Sequence, residues 1–372
     1  AQLDEVVIIG YGSVNKADLV TAIGTVKSEA LKDLPVTGID QALVGQLAGV
    51  NVVQESGEPG SNLSFNIRGL AAITLSSQPL IVLDGIPLVR GVNLSNIDPN
   101  TVESVNVLKD AAAAAIYGSR GSNGVVIITT KRGKTGETQF TFNSYQGFQT
   151  VSNKLDLQDA YGQAKYINEA LRNEYVFRNP TLPAPSDPAV YDFPAQLIPY
   201  LNDQPGLVNT DWQDEIFRNG ILSNYELSAR GGSDKVKYYI SGNYFNQEGV
   251  VINTDFERIA LRANVDIDLS EKLRLGVNLA PSYSNANRVN AGTSSINGFK
   301  APVVSTAQYV SPFFPAYLPN GDIAVNSIIE GAGDIKSASN NAISLAPYVN
   351  PIALAKLNSF TRREFRLLGS LA

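Results

Sequence analysis

Residues 256–280 read FERIALRANVDIDLSEKLRLGVNLA, and this stretch decides the fold. Apolar side chains occupy the odd positions from Ile259 to Leu269 and again from Leu273 to Leu279, while most even positions are polar or charged. Such alternation predicts strands with one apolar and one polar face. A soluble half-buried sheet also alternates, but these runs exceed the usual strand of about five or six residues. Their length fits tilted strands of about ten residues that cross a bilayer.

The same alternation recurs from residue 137 onward and predicts six long antiparallel strands. Their expected spans are 137–150, 222–231, 235–246, 256–269, 272–286 and 360 to the end. Barrels in common use have at least about eight strands. Six strands would therefore form only part of a barrel, and further strands would be needed to close it because open sheet edges are not tolerated in lipid.

The connections between these strands have two very different lengths. Tight turns lie around 232–234 and 270–271, whereas 151–221 and 287–359 are very long. In an up-and-down sheet alternate connections lie on the same side, so the short turns would gather at one end and the long loops at the other. Outer-membrane barrels have this asymmetry, with short periplasmic turns and long extracellular loops. A soluble β-sandwich has no reason to sort its loops in this way.

The residues before about 133 follow a different pattern, which predicts a small mixed α+β domain. Thr37 and Asp40 resemble a capping pair at the start of a helix. Leu43 and Leu47 lie one turn apart and would share one face of that helix.

Turn signals divide the rest of this first domain. Apolar and polar residues alternate over 63–67, which predicts a half-buried strand. Asp84-Gly85 lies between two apolar runs and suits the positive φ angles of a tight hairpin. Asp110 is placed to begin a short helix that Gly118 would end, and 124–131 predicts a further strand.

The composition narrows the function classes. The 372 residues include no cysteine, histidine or methionine, which excludes Ser-His and Cys-His catalysis and zinc sites built on His or Cys. An all-oxygen calcium site stays open. The formal charge is −6 with both signs mixed along the chain, so nucleic acid is not an expected partner. The glycines at 118–124 and Gly133-Lys134-Thr135 lack the spacing of nucleotide-binding loops. We therefore expect neither an enzyme nor a cofactor.

Several segments together resemble one family, the SusC/RagA-type TonB-dependent outer-membrane transporters. The opening LDEVVIIGYG at 3–12 resembles the family's TonB-box region, and the run from Ala113 to Lys131 is the most specific match to its plug domain. Further similar segments are LAGVNV at 47–52, PG at 59–60, IRG at 67–69, PLIVLDGIP at 79–87, VLKD at 107–110 and, in a loop, NTDWQDEI at 209–216. Two departures are the absence of the family's small β-sandwich extension before the TonB box and the small number of barrel strands.

The resemblance implies a fold class and a domain organisation. The fold class is a small α+β plug domain followed by antiparallel transmembrane β-barrel strands, which form a partial barrel. The TonB box and a linker would occupy 1–20, the plug domain 21–133, and the first six or so barrel strands with their extracellular loops 134–372. Such a protein crosses the outer membrane many times and is exported with a cleaved signal peptide. The first residues do not resemble a signal peptide, so that segment would already have been removed.

The resemblance also gives individual residues expected roles. The TonB box would be Asp4, Glu5, Val6, Val7, Ile8 and Ile9, a segment that lends its backbone to the edge of a partner's sheet. On pattern alone, an ordinary first strand is favoured over such a segment for the same run. The plug-motif residues are Arg68, Gly69, Asp84, Gly85, Lys109, Asp110, Arg120 and Gly121. For Arg68 a structural charge pair, within the plug or to the barrel wall, is favoured over substrate contact.

Four aromatic residues of the long loops are candidates for contact with the substrate or a lid. They are Trp212, Phe313, Phe314 and Tyr317. The alternative is that each of them packs the loops themselves.

The implied function is active import of a glycan or oligopeptide. TonB of the inner-membrane energising complex would supply the work, a SusD-like surface lipoprotein would form a lid over the long loops, and the barrel would contact outer-membrane lipid. Three alternatives stay open: a TonB-dependent receptor for another ligand such as a metal chelate, a passive porin, and a soluble β-sandwich binding protein or adhesin. The plug signature argues against the porin, and detergent-dependent extraction would separate the adhesin from every barrel.

Overall fold

The computed structural model describes three parts of the chain and a short hairpin. The described residues are 6–9, 12–15, 23–31, 36–54, 57–61, 63–67, 78–89, 94–110, 114–289, 302–325, 349–358 and 360–371. We call the described residues between 23 and 133 the plug region and the long strands after 135 the barrel sheet. The loop cap comprises the described residues of 150–219 and 289–359.

In the described residues, nine short strands precede the barrel sheet. They are β1 (Val6–Ile9), β2 (Gly12–Asn15), β3 (Ile23–Lys27), β4 (Val50–Gln54), β5 (Leu63–Ile67), β6 (Leu80–Leu83), β7 (Ile86–Pro87), β8 (Val102–Leu108) and β9 (Val125–Thr130). Five of them form the main plug sheet in the order β3-β8-β9-β6-β7, in which only β6 and β9 run parallel. β4 pairs with β5, and β1 pairs with β2, each as an antiparallel hairpin.

Two clusters of buried apolar side chains hold the plug region together. The central strand β9 is buried along most of its length, as is β8 beside it. The alternation expected over 63–67 is confirmed, because Leu63, Phe65 and Ile67 are buried and the residues between them are half-buried. Each fully buried aliphatic or aromatic side chain of this kind contributes about 1.5–3 kcal/mol relative to exposure. The core therefore supports a domain without disulfides.

The helix expected from Thr37 is shorter than its apolar spacing predicts. Helix α1 spans only Ile39–Ala42, and hydrogen-bonded turns continue to Val50. Gly45 has a φ of 72°, which ends regular helix at that point. The prediction of Thr37 as the cap was wrong: Gly38 is the N-cap, and the Thr37 hydroxyl donates to Oε1 of Gln247 in the barrel sheet at 2.7 Å.

The barrel sheet has six antiparallel strands in sequence order. They are β10 (Gly136–Gln149), β11 (Gly220–Gly232), β12 (Val236–Glu248), β13 (Asp255–Ser270), β14 (Leu273–Arg288) and β15 (Phe360–Leu371). Every strand predicted from the alternation is confirmed to within about two residues at its ends, a normal uncertainty for strand bounds. The short turns after β11 and β13 lie at one end of the sheet. The connections after β10, β12 and β14 lie at the other, which confirms the predicted sorting.

One face of the barrel sheet is apolar and carries a row of aromatic residues. Tyr225, Tyr244, Ile259, Tyr283 and Phe365 are successive cross-strand partners from β11 to β15. All five side chains are exposed in this structure. Tyrosine and phenylalanine at this depth are typical of the aromatic girdle at a membrane surface. The opposite face carries polar side chains and contacts the plug region, so we call it the inner face.

The long connections fold into the loop cap. Its helices are α2 (Ala160–Arg178), α3 (Ile198–Leu201), α4 (Trp212–Ile216), α5 (Val303–Tyr309) and α6 (Pro351–Leu357). Helix α4, from the first long connection, packs against α5 and α6 from the second. The two connections therefore form one body. Within the described ranges, no helix is both long and apolar enough to span a membrane.

Candidate functional site at the plug–wall interface

Strand β13 supplies most of the contacts between the barrel sheet and the plug region. Its even-numbered residues point to the inner face, as the alternation requires. Five of these residues contact plug atoms at successive heights: Phe256, Arg258, Arg262, Asn264 and Asp266. One strand thus holds the plug region along about ten residues of its length.

Arg258 makes several of these contacts from a deeply buried position. Its side chain is 1% exposed, and its guanidinium donates to the carbonyl oxygens of Thr37, at 2.8 Å, and Ser95. It also donates to Oδ1 of Asn243 at 3.2 Å and lies 3.8 Å from the Asp98 carboxylate. An ionised group buried to this extent is stable only when it is paired and hydrogen-bonded. Arg258 therefore ties two plug segments to the wall at once.

A second carboxyl, Asp40, lies near this guanidinium at the start of α1. Burial raises its pKa from the ordinary value of 3.8 to about 6. Hydrogen bonds from backbone N–H groups, including that of Gln41, and the charge of Arg258 oppose this rise but do not cancel it. The interface thus contains a group that gains a proton in mildly acidic solution.

Asp84 forms the next contact along β13 toward its short-turn end. Its carboxylate accepts from the backbone N–H of Thr130 at 2.8 Å and from the Thr130 hydroxyl at 2.7 Å. It also pairs with the Arg262 guanidinium at 3.1 Å, and both side chains are buried. Asp84 and Gly85 have φ angles of 47° and 84°, which confirms the expected Asp-Gly turn with two positive φ angles. The turn aims the carboxylate at the wall.

The plug region is also held at both ends of β13. At the long-connection end, a Cβ added to Gly60 would overlap the Phe256 ring, and Arg288 donates to the Gly60 carbonyl oxygen at 2.5 Å. At the short-turn end, Arg132 pairs with Asp266 at 2.9 Å. Gly60 is therefore required for the close approach of the plug turn to Phe256 of the wall, because any larger residue would overlap that ring.

Lys109 and Asp110 lie at the end of β8. The Lys109 ammonium donates to the carbonyl oxygen of Ala48, across Gly24 of β3. The Asp110 carbonyl oxygen accepts from Ala114 N–H at 3.0 Å. Both residues therefore support local plug structure in the described chain.

Arg120 and Gly121 lie in tight helical turns over Ala115–Gly121, which are interrupted at Gly118 by a φ of 59°. Arg120 is exposed, and Gly121 is buried where a Cβ would come 2.7 Å from the Ala114 carbonyl oxygen. The sequence predicts a regular helix through residues 111–115 that ends at Gly118. From Ala115 the structure instead has turns of the tighter three-residue type. Residues 111–113 themselves lie outside the described chain.

Four other expected site residues lie outside the part of the chain that the structure describes. Asp4 and Glu5 of the expected TonB box, and both Arg68 and Gly69 of the plug motif, lie outside the described residues. Val6, Val7, Ile8 and Ile9 form β1, whose backbone pairs with β2. The partner of Arg68 and the role of the TonB box stay predictions.

The loop aromatics divide into buried and exposed residues. Trp212, Phe313 and Phe314 are at most 4% exposed. Trp212 donates from Nε1 to the Ser311 carbonyl oxygen at 3.1 Å, and Phe313 packs edge-on against Tyr200. These three residues pack the loop cap and present no surface to a substrate or lid. Tyr317 is 40% exposed and has the Lys356 ammonium over its ring, so it alone of the four is accessible.

A cavity of about 1040 Å³ separates the plug region from β10 and β11. Its plug side includes Ser28, Glu29 and Glu103, and its wall side includes Asn143 and Asn224. The lining is polar, in contrast to the close contacts along β13. Beside this cavity, Arg230 of β11 pairs with Glu103 at 3.7 Å and donates to the Arg132 carbonyl oxygen at 2.6 Å, so the plug region contacts β11 as well as β13.

The sequence did not single out Arg258, Arg262 or Thr37 as site residues. The available signal was the position of two arginines on the inner face of a strand predicted to cross a membrane, where a charge needs a partner. Their partners could not be assigned, because Thr37 and Asp84 lie more than 170 residues away in the chain.

Comparisons with known proteins agree with this geometry. The family described as TonB-dependent Receptor Plug Domain matches residues 15–125. The chain is 38% identical to TonB-dependent receptor P3 of Formosa agariphila over 88% of its length, which is 29% of that protein. It is 33% identical to TonB-dependent receptor SusC of Bacteroides thetaiotaomicron over 80% of its length and 28% of that protein. The chain thus spans about 30% of these relatives.

A solved structure shares the plug and the barrel strands. The RagAB peptide importer in its open-open state superimposes with a TM-score of 0.73 at 28% identity, covering 98% of this chain and 40% of that one. The described plug and six antiparallel strands therefore correspond to one contiguous part of a larger transporter fold.

Proposed function

Because the chain belongs to the SusC/RagA-type TonB-dependent transporters, we propose that it takes part in TonB-dependent active import of a glycan or oligopeptide across the outer membrane. Its relatives include a protein named SusC and a structure described as a peptide importer. Both support this class of cargo, which is larger than a simple ion.

The observation that carries the proposal is the way in which the plug region sits against the wall. Arg258 and Arg262 reach from β13 to plug carbonyl oxygens and carboxylates, and all these groups are buried. A passive pore needs no folded domain pinned inside it. A domain held by a few polar contacts, beside a cavity of about 1040 Å³, suits a passage that opens only when work is done on the plug.

The work must reach the plug from outside the outer membrane. Strand β1 (Val6–Ile9) pairs with β2 through one edge only among the described strands. Its second edge offers backbone groups to a partner strand, and strand addition needs few specific side chains. TonB of the inner-membrane complex is the proposed partner of residues Asp4 to Ile9.

The loop cap is the proposed contact surface for a SusD-like surface lipoprotein. It lies at the long-connection end of the barrel sheet, which in outer-membrane barrels faces the cell exterior. Tyr317 and the exposed Tyr309 are available there for a substrate or lid. The outer membrane is the proposed location, and export with a cleaved signal peptide is expected.

Deletion of residues 4–9 in the full-length protein tests the proposal. We expect uptake to fall to the level of a TonB-deficient strain, while substrate binding to purified protein is unchanged. A matched control replaces Ala1 and Gln2, which precede the TonB-box region, and should leave uptake intact. Normal uptake by the deletion variant would show that this segment does not couple transport to TonB.

A further inference from the structure

The long-connection ends of β14 and β15 bring two arginines and a phenylalanine together on the inner face. Phe360 lies directly opposite Arg288, and Arg362 lies opposite Ala286. Arg288 faces the plug region, because it donates to the Gly60 carbonyl oxygen. Cross-strand partners share a face, as do residues two apart in one strand, so Phe360 and Arg362 also point to the inner face. The two guanidinium groups therefore belong to diagonal neighbours in the sheet.

Positive charge exceeds negative charge at this position. The inner face of β15 carries Arg362, Glu364 and Arg366, beside Arg288 of β14. The Glu364 carboxylate is shared, because it accepts from Arg362 at 3.2 Å and from Arg366 at 2.5 Å. Glu58 of the plug region attracts Arg288, and the charge of Arg362 repels it. Three guanidinium groups are thus set against two carboxylates, in a chain whose formal charge is −6.

Two side chains of this group are accessible. The Arg362 side chain is 44% exposed, against 15% for Arg366. The Phe360 ring is exposed as well. The inner face of an outer-membrane barrel is polar, so contact with lipid does not account for a large apolar ring there. Phe360 and Arg362 together offer a ring and a cation to a ligand.

The loop cap adds a second ring and a second exposed cation close to this position. Helix α6 ends at Leu357, three residues before Phe360. The Lys356 ammonium of this helix lies 5.8 Å from the centre of the exposed Tyr317 ring. Aromatic rings and cations are therefore combined twice, once in the cap and once on the adjoining wall at Phe360 and Arg362.

We propose that Phe360 and Arg362 form a binding site for an acidic oligosaccharide, whose uronate carboxylate is held by Arg362 while its ring packs on Phe360. One uronic acid residue combines an apolar ring face with a carboxylate, and a guanidinium binds a carboxylate through charge-assisted hydrogen bonds. A peptide carries an apolar group and a carboxylate on separate residues. Tyr317 and Lys356 extend the same recognition into the loop cap. This inference rests on the proposed import function and names the chemical class of its cargo.

Binding of two oligosaccharides of equal length to purified full-length protein tests the chemistry of the site. The probes are oligogalacturonate and its fully methyl-esterified, uncharged form. We expect the acid to bind at least about tenfold more tightly, because the ester loses the charge-assisted hydrogen bonds. Added salt should reduce this difference. Equal affinities, or no binding of the acid, would overturn the proposal, and tighter binding of an oligoglutamate peptide would overturn the assignment to a sugar.

Arginines on the two faces of β15 provide a matched pair of variants. R362M should weaken binding of the acid to the level of the ester. Arg363 is the next residue, exposed on the outer face, and R363M should leave both affinities unchanged. F360A should weaken the acid and the ester alike, because both keep the sugar ring. Equal losses in R362M and R363M would overturn the role of Arg362, and unchanged binding by F360A would overturn the ring contact.

Uptake measurements separate this inference from the proposed function. Import of oligogalacturonate should require both TonB and Arg362. TonB-dependent import of another cargo, by a protein that does not bind oligogalacturonate, would overturn the acidic-sugar site and leave the proposed function standing. Binding of oligogalacturonate through Arg362 without any TonB-dependent uptake would remove the proposed function and leave the site standing.

Discussion

Arg258 of β13 donates a hydrogen bond of 2.8 Å to the backbone carbonyl oxygen of Thr37, 221 residues earlier in the chain. The contact is buried, so neither group can exchange its partner for water. Because the acceptor is a backbone atom, the bond fixes the position of the plug chain rather than the identity of one side chain. The bond belongs to a network that also holds Ser95 and Asp98. One buried cation therefore fixes these plug segments at the same point of the wall.

Replacement of Arg258 should loosen the plug region more than replacement of any exposed arginine. R258M leaves the Asp98 carboxylate buried without its cation, and loss of one partner of a buried pair costs about 3–5 kcal/mol. Hydrogen exchange of plug amides in purified full-length protein measures the loss. The control is R274M, whose partner Asp268 lies near the solvent-exposed turn after β13, and it should leave plug exchange unchanged. Equal effects of the two variants would contradict a special role for Arg258.

The Asp-Gly turn that aims Asp84 at Arg262 should require its glycine for backbone reasons alone. Gly85 has a φ of 84° with open space where a Cβ would point, so G85A meets no clash but adopts a disfavoured conformation. The expected loss is about 1–2 kcal/mol of plug stability. Gly57 also has open space but no positive φ, and G57A should be close to neutral. A denaturant titration of both variants tests this difference, and a neutral G85A would contradict the turn assignment.

Mild acid should stabilise the plug region through Asp40. Its pKa is about 6 when folded, against 3.8 for an ordinary Asp, so the folded chain binds the proton more tightly than the unfolded chain. This contribution is fully present below about pH 4 and is lost as the pH rises through 6. The shift corresponds to about 3 kcal/mol at most. D40N should remove this pH dependence between pH 4 and 7 in a series of plug-stability measurements, whereas an unchanged profile would assign it to other groups.

Substitutions of the loop aromatics should distinguish residues that pack the loop cap from a residue that recognises a ligand. W212A leaves a cavity and an unpaired Ser311 carbonyl oxygen, and should destabilise the loop cap by about 3–5 kcal/mol. Y317A removes an exposed ring with one cation over it, worth about 0.5–1 kcal/mol. Limited proteolysis of the cap should therefore detect W212A but not Y317A. A loss of substrate affinity in Y317A with an intact cap would assign Tyr317 to recognition, and equal proteolysis would contradict the packing role of Trp212.

The sequence predicted the barrel strands well because their signal is local. Alternation from Ile259 to Leu269 depends only on neighbouring residues, and one apolar face against lipid leaves no second register that satisfies it. The helix from Thr37 was predicted less well. There the apolar spacing of Leu43 and Leu47 was present, but Gly45 and the contact of Thr37 with Gln247 outweighed helix propensity.

In the long loops too, the sequence identified a motif but not the location of its side chains in the fold. NTDWQDEI at 209–216 was recognisable as a motif, yet the burial of Trp212 follows from Ser311 and its neighbours about 100 residues later in the chain. Nothing near Trp212 in sequence indicates whether its ring faces the loop interior or a ligand.

The sequence by itself determined that a small α+β domain precedes long amphipathic strands, that these strands have sorted connections, and that His- and Cys-based chemistry is absent. Only the tertiary structure decided which plug atoms meet Arg258 and Arg262, that Lys109 reaches the Ala48 carbonyl oxygen, and that a cavity lies between the plug region and β10 and β11. Periodicity and turn chemistry act over a few residues and are written in the chain. Contacts between residues 221 positions apart depend on how the domain docks, which no local pattern encodes.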